Sequence, residues 1–140
     1  MKEILYSQIA NQKWELARRE RFLLISIIYQ YYLMDRSLNL DDIFTKFDLD
    51  EREFRIMKML VSNEEKLISA LESLLSETWS WTNIKPLIRA ILMVSANEIL
   101  IGIKNIVISE AVEISKSLLD QKEVNFVNAL LDNFAKKINK

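Results

Sequence analysis

The chain has 140 residues, half of them hydrophobic and 28% charged, with a net charge of −1. This is the balance of one globular domain that can bury a core unaided, and no apolar run is long enough to span a membrane. With no Cys, no His, one Gly (Gly102) and one Pro (Pro86), the sequence excludes zinc-finger sites, thiol nucleophiles, His-based acid–base chemistry, Gly-rich phosphate loops and Asn-Gly or Asp-Gly hairpins.

From Trp14 to about Arg36, residues Leu16, Leu23, Leu24, Ile27, Ile28 and Tyr31 recur at helical spacing and predict one long helix with a wide apolar arc. Residues 1–13 also read as helical, as an N-terminal extension that continues this helix or forms a separate arm. Ser37 or Asn39 caps a short second helix through Phe47, with Asp41 and Asp42 in its first turn, where acids suit the helix dipole. A third helix starts from Asp48-Leu49-Asp50 and runs to about Leu75, with Ser62-Asn63 as a point where it could break.

Trp79-Ser80-Trp81-Thr82-Asn83 reads as a connection. Thr82 or Asn83 is the expected cap of the next helix, and Pro86 lies near its start. That helix runs to about Ile101; Leu87, Ile88, Ile91, Leu92 and Val94 make it the most apolar and place it centrally. Gly102 is expected to end it in the left-handed conformation. Ile106-Val107-Ile108 is the one β-looking triplet, after which Ser109 caps a helix to Leu119. Asp120 or Glu123 opens the last helix, through about Lys137, with Phe126, Val127, Leu130, Leu131 and Phe134 facing inward. The expected fold is all-α, a single domain of six or seven helices over residues 1–140.

Charge is uneven along the chain. Residues 1–36 carry six Lys/Arg against four Asp/Glu, residues 37–80 five against ten, and residues 116–140 five against three. Basic ends can bind phosphate on a nearly neutral protein, although ordinary solvated helix faces give the same pattern. Nothing singles out a catalytic group, so no enzyme, cofactor or metal is expected. The opening Met1-Lys2-Glu3-Ile4-Leu5-Tyr6 lacks the profile of a signal peptide, and the expected compartment is the cytoplasm.

Three motifs resemble one family, the NusB-type transcription antitermination factors. Ala17-Arg18-Arg19-Glu20-Arg21, followed by Ile28-Tyr29, resembles the family's opening Arg cluster and Leu-Tyr pair. Ile108-Ser109-Glu110-Ala111-Val112-Glu113-Ile114-Ser115-Lys116 is similar to Ile-Asn-Glu-Ala-Val-Glu-Leu-Ala-Lys. Phe126-Val127-Asn128-Ala129-Leu130-Leu131-Asp132 is similar to Phe-Val-Asn-Gly-Val-Leu-Asp. Between them, Arg89-Ala90-Ile91-Leu92 and Glu98-Ile99-Leu100 fit the block before the last two motifs. The sequence departs from the family at Ile88 (an acid there), Met93 (an arginine), Asn97 (a tyrosine) and Ala129 (a glycine).

The resemblance implies two helical sub-bundles around a long central helix. It implies RNA binding in antitermination, at a boxA-type element of ribosomal RNA leaders. The partners it implies are the small-subunit ribosomal protein NusE and an RNA polymerase antitermination complex. It makes Arg18, Arg19, Arg21, Lys122, Phe126 and Asn128 candidate RNA contacts, because guanidinium groups pair with phosphates and aromatic rings stack on bases. Tyr29, Leu33 and Ile88 become candidate partner contacts. Each has a plainer reading. The arginines can be a solvated turn balanced by Glu15 and Glu20, and Phe126 a core anchor in register with Leu130 and Phe134. Asn128 can tie its helix to a neighbouring backbone, Tyr29 and Leu33 can be core, and Trp79 and Trp81 can plug the end of a bundle. Two other functions stay open: a helical protein–protein adaptor that has lost RNA binding, and a detached homologue of the helical domain of some RNA cytosine methyltransferases.

Overall fold

The computed structural model describes the backbone of residues 2–138 and the side chains from Arg18 to Ile138. The readings of Ile4, Leu5, Ile9, Trp14, Glu15 and Leu16 as side chains lie outside the described residues. Every regular element among the described residues is helical: α1 (Lys2–Leu33), α2 (Leu40–Lys46), α3 (Glu51–Glu72), a 3-10 turn (Trp81–Asn83), α4 (Pro86–Ile99), α5 (Lys104–Leu118) and α6 (Gln121–Lys137). Residues 2–13 continue α1 and form no separate arm.

Local chemistry sets most of the helix starts. The Asn39 side chain accepts the Asp42 N–H at 2.9 Å and opens α2. Asp50 with Glu53, and Asp120 with Glu123, form reciprocal capping boxes on α3 and α6. Such a cap contributes about 1 kcal/mol over alanine. α4 has no side-chain cap; Pro86, the first helical residue after Lys85, starts it with its fixed φ instead.

α4 is the hub. Every residue from Ile88 to Asn97 is buried, because the helix touches α1, α3, α5 and α6 on different sides. A helix apolar around its whole circumference has to sit this way. α2 and α3 pack together on one flank of it. α5 and α6, joined only by Leu119-Asp120, form a hairpin on the other. The two sub-bundles therefore share the 14-residue α4, while the 32-residue α1 lies against it rather than at the centre.

The structure differs from several local expectations. Thr82 and Asn83 lie in the 3-10 turn and do not cap α4, which Lys85 precedes. Gly102 does not adopt a left-handed conformation; among the described residues Asp35 does, at φ 52°. There the Arg36 N–H donates to the Tyr31 carbonyl at 2.9 Å and closes the end of α1. Gly102 is needed for space: a Cβ would lie 3.0 Å from the Glu98 carbonyl and 3.2 Å from Cγ2 of Val107. The triplet Ile106-Val107-Ile108 lies inside α5, and Ser109 with it, because burial of Val107 outweighs β-branched propensity. Lastly, α3 runs unbroken through Ser62-Asn63, where Asn63 donates to Asn97 of α4 at 3.3 Å.

Candidate nucleic-acid interface

The arginine cluster lies at the C-terminal end of α4. Arg18 grips Glu110 of α5 with both arms of its fork, Nε to Oε2 at 2.8 Å and Nη2 to Oε1 at 2.7 Å. One turn on, Arg21 grips Glu98 of α4 in the same way, at 2.7 and 2.5 Å, with Nη1 3.5 Å from Glu110. Arg21 is only 8% exposed. Hydrogen bonding from Arg18 holds the Glu110 carboxyl below the usual carboxylate range, against the opposing effect of burial. The expected balance of the arginines by Glu20 is not seen: Glu20 pairs with Arg52 of α3 at 3.1 Å. Arg19 is exposed and has no ion pair with a described residue.

This geometry sorts the three arginines. A guanidinium closed side-on on a carboxylate through Nε and Nη2 has its charge largely neutralised and keeps only its Nη1 edge for another acceptor; in Arg21 that edge is buried, 3.5 Å from Glu110. Arg21 is therefore a structural clamp. Arg18, half-exposed, has its Nη1 edge for phosphate while paired with Glu110, and Arg19 is open to it. The Arg cluster, the Glu98 block and the Glu110 helix are sequence motifs far apart in the chain. The fold gathers all three into one ion-pair network between α1, α4 and α5.

A different surface lies at the N-terminal end of α4. Leu74, Leu75 and Ser76 after α3, Trp79 in the connection, and Phe126, Ala129, Leu130 and Asn133 of α6 line a cavity of about 300 Å³. Trp79 is 53% exposed while Trp81 is buried, so only Trp81 plugs the bundle. Phe126 is half-buried: it packs on the core and also lines the cavity. The walls are flat and apolar, with Ser76 and Asn133 as polar edges, a chemistry suited to an unstacked base. Exposed Lys122 lies one turn before Phe126. Lys85, by contrast, is tied to Glu123 at 2.9 Å.

The structure does not gather all the expected contacts. Asn128 is exposed, but two residues from Phe126 it projects from the other side of α6. Asn133, two turns beyond Phe126, lines the cavity instead; its i+7 spacing puts it on the same face of α6. The Glu98 pair and the Lys85 pair are separated by most of α4, about 20 Å at the helical rise. The arginine and aromatic ends are thus two surfaces, not one patch.

On α1, Leu33 is 55% exposed and Tyr29 half-buried, and exposed Phe22 continues their outward face. Ile88 is 5% exposed and belongs to the core of α4, so it offers no partner surface. Among the described residues no helix is long and apolar enough to cross a membrane, and no group of acidic residues could hold a metal ion.

The described residues are thus all-helical, with an ion-paired arginine surface and an aromatic-lined cavity. The NusB family profile matches residues 18–136. A Leptospira biflexa protein named Transcription antitermination protein NusB is 32% identical over 132 residues, covering 85% of this chain and 91% of that protein. Proteins of the same name from Lactococcus lactis and Sulfurovum are 33% identical over 93 residues and 38% over 78. Those alignments cover 64% and 54% of this chain, and span 48% and 59% of the two relatives. The solved structure of T. maritima NusB has the same fold, with a TM-score of 0.73 at 24% identity over 85% of this chain and 89% of that one. This chain belongs to the NusB family.

Proposed function

We propose that the protein is an RNA-binding transcription antitermination factor. In this reading it binds boxA-type leader RNA together with the ribosomal protein NusE and joins an RNA polymerase antitermination complex in the cytoplasm. Family membership and the names of the relatives support the antitermination role. The observation that carries RNA binding is the cavity lined by exposed Trp79 and half-buried Phe126, with Lys122 one turn before Phe126 on α6. A base enters that cavity and stacks, while Arg19, and Arg18 through its Nη1 edge, meet phosphates at the other end of α4. A strand that reaches both ends needs on the order of six stacked nucleotides at 3.4 Å each. The Phe22, Tyr29 and Leu33 face of α1 is the surface for NusE. No step is chemical; the protein holds RNA and partner together.

The adaptor reading draws support from one observation. Glu98 and Glu110 neutralise Arg21 and Arg18, which leaves the basic end with little free charge. Titration of boxA-like and scrambled RNA, with and without NusE, at two salt concentrations, separates the two readings. The proposal expects preference for boxA and weakening with salt. Equal or absent binding of the two RNAs, with and without NusE, overturns it in favour of the adaptor.

A further inference from the structure

We propose that the cavity enclosed by the end of α1, α3, the 3-10 turn and the start of α4 is a binding site for a small phosphoryl-bearing anion, with Arg89 as its central contact. At about 570 Å³ it falls within the ordinary size range of small-ligand sites. It contains none of the residues assigned above to RNA or to a partner.

The argument rests on two buried charges in its wall. Glu64 is 8% exposed and held on both oxygens: Oε2 accepts the Tyr32 hydroxyl at 2.8 Å and Oε1 the Leu38 N–H at 3.2 Å. Arg89 is 9% exposed and has no such partner. Its guanidinium lies 5.3 Å over the Tyr32 ring, no described carboxylate pairs with it, and its buried Nε–H has no acceptor. A guanidinium cannot discard its charge, so unpaired burial is costly until an acceptor arrives. Glu64, the neighbouring carboxylate, is held by Tyr32 and Leu38 and makes no hydrogen bond to Arg89, so the group Arg89 lacks is an acceptor.

The surroundings favour a tetrahedral anion over a carboxylate. Arg89 lies in the first turn of α4, the end of a helix that favours negative charge. Ser37 and Ser62 line the cavity with hydroxyls that make no hydrogen bond to a described residue. A phosphoryl group has oxygens enough to accept from the Arg89 fork and from hydroxyls as well, where a carboxylate has two. The rim carries Lys66 and Arg36, but also Asp35 and Glu65, while Arg36 itself turns over the Tyr31 ring and toward Asp42. With the rim charges balanced, general attraction contributes little and selectivity has to come from Arg89.

The test is titration of the protein with inorganic phosphate, 5′-AMP and acetate at constant ionic strength. The readouts are the Arg89 Nε–H resonance and calorimetry. Saturable binding of phosphate or 5′-AMP that shifts this resonance, and that weakens at least tenfold in Arg89→Met but not in Arg19→Ala, supports the site. Tighter binding of 5′-AMP names a nucleotide as the source, and tighter binding of phosphate names the free ion. Arg89→Lys keeps the charge without the fork and is expected to weaken binding several-fold, which covers the case of an Arg89→Met that does not fold. No saturable response to either phosphoryl probe at tens of millimolar, unchanged affinity in the Arg89 variants, or equal binding of acetate overturns the proposal.

Discussion

At one end of α4, Arg18 and Arg21 have closed their guanidinium groups on Glu110 and Glu98. At the other, Trp79 and Phe126 keep their rings on the wall of an open cavity. The first end carries the residues that most resemble a phosphate site in sequence, yet the fold uses most of their charge to join α1 to α4 and α5. The second carries two aromatic residues that read as plugs and core, yet one of them is more than half exposed. A cluster of like charges in a sequence shows only what is available. Whether it is free depends on opposite charges many residues away.

The largest effect that could break this contrast is on stability. Arg21→Met leaves Glu98 in place without its partner, and the expected loss is about 3 kcal/mol in urea unfolding. Arg19→Ala is expected within about 0.5 kcal/mol of the parent. Equal effects at the two positions would show that burial of Arg21 does not carry the clamp. Next in size is RNA affinity at the other end. Trp79→Ala and Phe126→Ala are each expected to lose about 1–3 kcal/mol of binding by fluorescence anisotropy, the worth of one stacked base. Trp79→Ala should do so with little change in unfolding midpoint, since the ring is largely exposed. RNA binding that survives both changes would move the interface away from the aromatic end.

A smaller effect concerns salt. Arg19→Ala should reduce the slope of log affinity against log salt by about one unit if it meets a phosphate. Arg18→Ala should reduce it less, because its fork starts on Glu110. The smallest is the response to acid. The Glu110 pKa is lowered in the fold by Arg18, so its stabilisation is complete above the unfolded value, about 4.3, and disappears as pH falls through the folded value. Glu110→Gln should therefore be less stable than the parent at pH 7, with the gap closing from about pH 5 downward. Glu20 shifts the other way, pushed up mainly by burial, so its ionised form costs stability above that range.

The sequence made the frame legible wherever the cause is local. Asp50 with Glu53, Asp120 with Glu123, Asn39 and Pro86 mark their helix starts within four residues, and the apolar run from Ile88 marks a central helix. What stayed hidden depends on distant contacts. Gly102 fits the rule for a left-handed cap, and only Val107 across the turn reveals that it is there for room. Ile88 occupies an acidic position of the family, but its surroundings are α4's own packed circumference. Trp79 and Trp81 are two residues apart with opposite exposures, which composition cannot separate. Asn133, and not the Asn128 of the family motif, lines the aromatic cavity, a difference set by the rotation of α6.

The clamp between α1 and the rest also bears on the order of assembly. Arg18 reaches Glu110 across 92 residues and Arg21 reaches Glu98 across 77. Loops of that length lose entropy on closing before any contact compensates, whereas the α5–α6 hairpin forms from neighbours. α1 precedes α4 and α5 along the chain, so during synthesis it exists before either partner helix. Its docking is then expected late in folding, after α4, α5 and α6 have met. Loss of Arg21 should accordingly quicken unfolding and leave the refolding rate nearly untouched.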